Sequence, residues 1–314
     1  MSTYTIANRT AAGGRVGAQW DRISRAVTEA YGLGDVAFTD HVGHGIALAG
    51  QAIEAGATRV VVVGGDGTIN EVLNGYMRAD AGRRGVELAI YPLGTGGDLA
   101  RSLGLKGADR DGFLRDATAR TIDVGCVRAT GEQGEQLRYF LNIASAGATG
   151  EIVDRVNRGS KRFGAKAAFV WGTLKGLSAY RNQRIRIRVD DSAEEELLMS
   201  LAAVGNGRFF GGGMKIAPDA ALDDGLFDIC VVGDIGVADF VRHGSKLYRG
   251  EHGGVPEVRF FRGRAVHLTG LGDSPVLVEA DGEVAGRLPA SFAIHPDAAT
   301  VLAPWGSAEA ISRR

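Results

Sequence analysis

Residues 60–75 read VVVVGGDGTINEVLNG, and no other run in the 314-residue chain narrows the fold as much. The segment 59–63, RVVVV, carries four consecutive β-branched valines, the pattern of a parallel strand covered on both faces. It stops at Gly64-Gly65. From Thr68 to about Arg78 the chain reads as a helix, with Val72, Leu73 and Tyr76 at helical spacing. A strand that turns through glycine into a helix aims several backbone N–H groups at one point, beside the positive end of the helix dipole, where phosphate binds readily. A Cβ in that turn would hold the anion away. Asp66 sits in the turn, and a carboxylate beside phosphates makes sense where it holds Mg²⁺ or takes part in phosphoryl transfer. Thr68 and Glu71 admit a plainer role, because Thr68-x-x-Glu71 ahead of Val72 has the form of a capping box.

Residues 91–105, YPLGTGGDLARSLGL, repeat the logic. A buried strand at 87–91 is expected to stop at Pro92. Glycine then gives a turn, and Asp98 opens a short helix running to Leu103. Asp98 is either the helix N-cap or a second acid facing metal and phosphate, and Thr95 offers a hydroxyl to phosphate or ribose. Two such loops at the carboxyl ends of strands in one sheet would face one crevice. Neither a G-x-x-x-x-G-K-[ST] loop nor a G-x-G-x-x-G fingerprint with a downstream acid is present.

Further helices are expected at Trp20–Tyr31 and Gly45–Ala55, so the first third alternates strand and helix, which implies a doubly wound α/β layer sandwich. Past Thr121 the pattern changes to short strands with Gly and Asp turns, at 139–144, 184–189, 197–204, 226–232, 264–268 and 276–280. One helix interrupts them, Lys166–Tyr180. This half reads as a mostly antiparallel β domain. The expected organisation is an N-terminal nucleotide-binding α/β domain at 1–121 and a β-rich domain at 122–290. The apolar segment Ser291–Pro304 begins a return of 291–314 to the first domain.

A net charge of -1 argues against general nucleic-acid binding. Cys126 and Cys230 sit in apolar runs and read as buried thiols. No signal segment opens the chain, and no apolar run approaches the length of a transmembrane helix. Arg184, Arg186 and Arg188 alternate along one strand face, and Arg155, Arg158, Lys161, Arg162 and Lys166 crowd one segment. Either group could touch anionic headgroups, although a solvated face is the plainer reading. The six histidines show no metal-site spacing.

GGDGTINEVLNG together with PLGTGGDLARSLG resembles the catalytic domain of the diacylglycerol kinase family, which also holds sphingosine and ceramide kinases and bacterial lipid kinases. The GGDGT core is shared with NAD kinases, while Asn70-Glu71 and Asn74-Gly75 point to the lipid branch. The resemblance continues through Ile122–Gly125, 140–147, 204–229 and 278–289, nearly the whole chain. It implies an ATP- and Mg²⁺-dependent kinase that acts from the cytoplasm on a lipid at the membrane surface, with the lipid entering a cleft between the domains. Gly64, Gly65, Gly67, Thr68, Asn70 and Glu71 would lie at the nucleotide, with Thr39, Gly94 and Thr95 nearby. Asp66 and Asp98 would be the essential acids around ATP and catalytic Mg²⁺. In the triplet Asp281-Gly282-Glu283, Glu283 would be the general base, with Asp281 its rival. Asp224, with backbone carbonyls of Ala221 and Leu226, would hold a structural Mg²⁺, joined to the active site through Asp123. The chain departs from the family pattern at Gly97, where Asn is usual, and at Arg9, where Pro is usual. A kinase for a soluble acceptor such as NAD and a nucleotide-binding regulator without catalysis are the rival readings. The acceptor lipid and the oligomeric state stay open, a homodimer among the options.

Overall fold

The computed structural model describes residues 1–94, 97–104, 110–158 and 180–305. Two units can be distinguished. One comprises Met1–Val124, Ala221–Asp224 and the chain from His295; the other comprises Gly125–Ala220 and Gly225–Ile294.

The first unit is built on parallel strands. β1 (Thr3–Ala7), β2 (Asp35–Phe38), β3 (Arg59–Gly64) and β4 (Glu87–Pro92) lie in the order β4-β3-β1-β2. Thr300–Leu302, in the chain's final strand Glu283–Ala303, add a further parallel partner to β4. The valines of β3 are buried on both faces, as a central parallel strand requires. Helices α1 (Ala11–Ala18), α2 (Trp20–Tyr31), α3 (His44–Glu54), α4 (Asp66–Arg78) and α5 (Asp98–Ser102) connect or follow these strands. Ile23 and Val27 of α2 pack with Val61, Val63, Ala89, Tyr91 and Leu302 in one core. Helices α3 and α4 approach closely at Gly75, where a Cβ would stand 2.3 Å from the carbonyl oxygen of Ile46. Pro92 does not end the second expected strand early: it is that strand's last residue, paired with Gly64.

The second unit is antiparallel. Its strands include the second half of β5 (Thr118–Gly131), then β6 (Gly134–Phe140), β7 (Ile143–Gly147), β8 (Gln183–Val189), β9 (Glu195–Met199), β10 (Leu201–Gly205), β11 (Phe227–Val232), β12 (Val258–Gly263), β13 (Ala265–Gly270), β14 (Leu277–Ala280) and the start of β15 (Glu283–Ala303). One path runs β12-β11-β10-β7-β14-β15, and β13 joins β15 to β8, which pairs with β9. Its core contains Phe140, Met199, Val204, Phe227, Val278 and Phe292, with Phe140 and Phe227 stacked at 5.7 Å. Both cysteines are buried free thiols, and burial pushes the Cys230 thiol up to about 12.

Two expected strands are each two. The run 139–144 breaks at Leu141-Asn142, where Asn142 Nδ2 reaches the Phe209 carbonyl (2.6 Å) and the Asn142 carbonyl accepts from Asn206 and Gly207. The run 197–204 breaks at Ser200, whose N–H goes to the Val232 carbonyl (3.0 Å). The expected helix Lys166–Tyr180 lies outside the described residues except for Tyr180, as does the basic cluster beyond Arg158. On β8, Arg184 and Arg186 pair with Glu196, and Arg186 also with Glu194, so these guanidinium groups form an ion-paired exposed face. Among the described residues no helix is long and apolar enough to cross a membrane.

Candidate active site

Parallel strands bring their carboxyl ends to one edge of the sheet, the edge at which α/β proteins bind ligands. Four connections leave that edge in the first unit. After β1, Ala12, Gly13 and Gly14 all have positive φ, and a Cβ on either glycine would meet open space. After β2 comes Thr39, whose N–H continues the ladder to the Ala7 carbonyl (2.9 Å). After β3 comes Gly64-Gly65-Asp66, and after β4 comes Gly94.

The last two connections touch. A Cβ on Gly94 would lie 3.1 Å from Gly65 Cα and 3.5 Å from Asp66 N, a tight fit, whereas one on Gly65 would make only ordinary contacts, 3.5 Å to Gly94 Cα. The Leu93 N–H donates to the Gly64 carbonyl (2.7 Å). The Gly97 N–H donates to Asp66 Oδ2 (3.2 Å), which sets Asp98 one residue from the Asp66 carboxylate. Asp66 occupies the first residue of α4, where the helix dipole favours a negative charge. Asp98 opens α5 and pairs with Arg101 (2.7 Å). Gly97 has φ +66, a conformation open to Gly and, among the other residues, mainly to Asn and Asp. The departure from Asn therefore keeps both the backbone shape and the N–H that Asp66 uses. Thr95 lies outside the described residues.

The capping-box role of Thr68 and Glu71 is not what the structure shows. Helix α4 begins at Asp66 with Gly65 as N-cap, so Thr68 is already inside the helix. Its Oγ1 accepts from Asn8 Nδ2 (3.1 Å). Glu71 reaches a different helix: its carboxylate accepts from the N–H groups of Gly43 (2.7 Å) and Gly45 (3.0 Å) at the start of α3. Nor is Asp98 an N-cap, since Gly97 holds that position. Asn70 is fully buried, with Asn74 Nδ2 donating to its carbonyl (2.8 Å) and to its Oδ1 (3.2 Å).

Asp123 is buried. Its N–H donates to the Leu222 carbonyl (2.7 Å), and its Oδ1 accepts from the Asp297 N–H (2.9 Å). Asp123 is thereby tied to the segment carrying Ala221 and Asp224. Leu226 stands just ahead of β11.

In the second unit, Asp281 and Glu283 flank the turn between β14 and β15. Asp281 has φ +50, and its carboxylate accepts from three successive backbone N–H groups: Leu141 (2.9 Å), Asn142 and Ile143 (3.1 Å each). Glu283 is partly exposed at the first position of β15. A residue the motifs did not mark lies beneath them. Glu279 is buried, its Oε2 accepts from the Gly282 N–H (2.9 Å), and Ser145 Oγ donates to its Oε1. Burial pushes its carboxyl up to about 7, against those two hydrogen bonds. The available signal was a carboxylate inside the apolar run 276–280.

The profile of the diacylglycerol kinase catalytic domain matches residues 2–127. That of the YegS C-terminal NAD kinase beta sandwich-like domain matches residues 142–303. The chain belongs to the diacylglycerol kinase family. A family member described as a diacylglycerol kinase in Mycobacterium tuberculosis is 32% identical over 260 residues, covering 82% of this chain and 80% of that protein. One from Bacillus subtilis with the same description is 31% identical over 240 residues, covering 74% and 73%. A probable lipid kinase YegS-like from Pseudomonas aeruginosa is 32% identical over 258 residues, covering 82% and 80%. Among solved structures, a putative diacylglycerol kinase from Bacillus anthracis shares the fold at TM-score 0.75 and 21% identity over 96% of both chains. An NAD kinase from Archaeoglobus fulgidus, in complex with ATP, shares it at TM-score 0.51 and 12% identity, over 96% of this chain and 92% of that one. The family is one of lipid kinases with a nucleotide-binding α/β part and a β-rich sandwich.

Proposed function

We propose that the chain transfers the γ-phosphate of ATP to a hydroxyl of diacylglycerol or a similar lipid, giving phosphatidic acid or an analogous phosphomonoester. The observation that carries this reading is the close approach of Gly94 to Gly65 at the carboxyl edge of one parallel sheet, together with the bond from the Gly97 N–H to the Asp66 carboxylate. The bare backbone at Gly65 and Gly94 would hold the nucleotide phosphates, and Thr39 and Thr95 would contact the nucleotide nearby. Gly67, Thr68, Asn70 and Glu71 shape this cradle, Glu71 by fastening the start of α3.

Asp66 and Asp98 would act at the phosphates. The oxygen donors suit Mg²⁺, a hard cation bound by carboxylates and carbonyls; when bound, it would offset the charge on the phosphoryl oxygens. Asp224 and the carbonyls of Ala221 and Leu226 would hold a second, structural ion, with Asp123 tied to the same segment. Glu283 is favoured over Asp281 as the base that takes the lipid hydroxyl's proton, because three N–H groups already engage the Asp281 carboxylate. The lipid would be met at the inner face of the membrane, from the cytoplasm.

The experiment is a transfer assay with labelled ATP, Mg²⁺, the purified full chain and a panel of diacylglycerol, phosphatidylglycerol, a sphingoid base and NAD. Label in a lipid product is expected. Label in NAD alone would replace the lipid with a soluble acceptor, an outcome the likeness to an NAD kinase fold makes worth including.

A further inference from the structure

The turn between β2 and α3 carries three side chains that the kinase reading leaves unused, and the fold gathers two of them, both histidines, although their spacing did not announce a metal site. Its sequence is Thr39-Asp40-His41-Val42-Gly43-His44. The turn is fixed at both ends. Thr39 is held by the β1 ladder, and Gly43, in the left-handed region at φ +87, and Gly45 are held by Glu71. Between these anchors three side chains converge. Asp40 Oδ1 faces the Nδ1 atoms of both histidines, at 2.7 Å for His44 and closer still for His41. The two imidazole rings stack at 4.8 Å with planes 8° apart. The three donor atoms all lie within 4.8 Å of one another.

A proton network satisfies this arrangement poorly. His44 Nδ1 faces both Asp40 Oδ1, which calls for a proton on the nitrogen, and the Asp40 N–H at 3.3 Å, which calls for a lone pair there. If both rings were charged, two parallel cations would face each other. A cation would draw the carboxylate and the two Nδ1 lone pairs to one charge once the exposed side chains part slightly, since hydrogen-bond separations such as the 2.7 Å at His44 are shorter than those between two ligands of one zinc ion.

We propose that Asp40, His41 and His44 form a chelating site for a first-row divalent cation of the zinc type. Two imidazole nitrogens and one carboxylate are three of the four ligands zinc takes, and water could supply the fourth, since the side chains of Asp40 and His41 are 71% and 68% exposed. Imidazole selects zinc, cobalt, nickel or copper over magnesium, which separates this site from the oxygen-lined positions assigned to Mg²⁺. The proposal does not depend on the kinase reading.

The test uses the untagged full chain, titrated calorimetrically with Zn²⁺ and, in parallel, with Co²⁺ followed by visible absorption. One Zn²⁺ per chain is expected, together with a Co²⁺ spectrum of tetrahedral type. Affinity should fall at least tenfold in His41→Ala and in Asp40→Asn, whose melting temperatures without metal should stay near wild type because both side chains are exposed. Excess Mg²⁺ should leave Zn²⁺ binding intact. Zn²⁺ binding equal in wild type and His41→Ala, or no binding below millimolar Zn²⁺, would overturn the site.

Discussion

Two turns of the molecule present acids by opposite means. In the first unit, Asp66 stands on a glycine turn, and its own carboxylate accepts from the Gly97 N–H. Gly65 and Gly94 cross without side chains, and the stabilising contacts are main-chain N–H groups at a helix start. In the second unit, Glu283 follows a turn fastened by carboxylates. Asp281 gathers three backbone N–H groups, and Glu279 is buried under Gly282. The first turn is open to an anion because it carries nothing bulky. The second is fastened by side-chain acceptors, one of them a buried carboxyl whose charged form is costly. A buried titratable carboxyl that fastens a turn makes stability depend on pH.

The sharpest way to break this comparison is Asp66→Asn. The amide keeps an oxygen for the Gly97 N–H, so the melting temperature should hold while turnover falls on the order of 10³-fold or more. Full activity would put the chemistry elsewhere. Next come the two acids of the second turn, which should separate cleanly. Glu283→Gln should lower kcat by about 10²- to 10⁴-fold with little change in stability. Asp281→Asn should destabilise by about 1–3 kcal/mol, read by denaturant unfolding, because it weakens an acceptor shared by three N–H groups. The reverse pattern would exchange their roles.

The third prediction concerns Glu279. Its folded pKa lies above the usual carboxylate range, so the folded state prefers the protonated form. The stability this contributes is present at acidic pH and is lost as pH rises from about 4.5 through about 7. Unfolding free energy should drop by about 3 kcal/mol across that window. Glu279→Gln, neutral at every pH, should flatten the curve. The smallest effect is expected from Gly97→Asn, within about 0.5 kcal/mol in stability, since Asn accepts the left-handed conformation and keeps the N–H to Asp66. Nucleotide affinity measured alongside would show whether an added amide contributes.

How far the sequence spoke for itself differed between the two turns. The strand-glycine-helix succession around Asp66 was readable because its information is local: a valine run, a glycine pair and a helical period lie within 20 residues. Helix α2 was readable for the same reason. The capping-box alternative for Glu71 failed because its partners, Gly43 and Gly45, lie 26 to 28 residues away and nothing near Glu71 announces them. The breaks at Asn142 and Ser200 were missed because each follows from hydrogen bonds to distant strands. Glu279 escaped notice because strand alternation assigns it to the face opposite Val278 and Ala280, the usual place for a solvated acid. Here both faces are covered.

The strand Glu283–Ala303 has a consequence for heredity. It opens with the acid proposed as base and later supplies Thr300–Leu302 to the parallel sheet, and β5 likewise starts in one unit and ends in the other. No single crossover in the gene can exchange one half for a homologue's without splicing a strand in mid-course. Substrate preference in such a chain is therefore expected to drift by point substitution rather than by shuffling of modules.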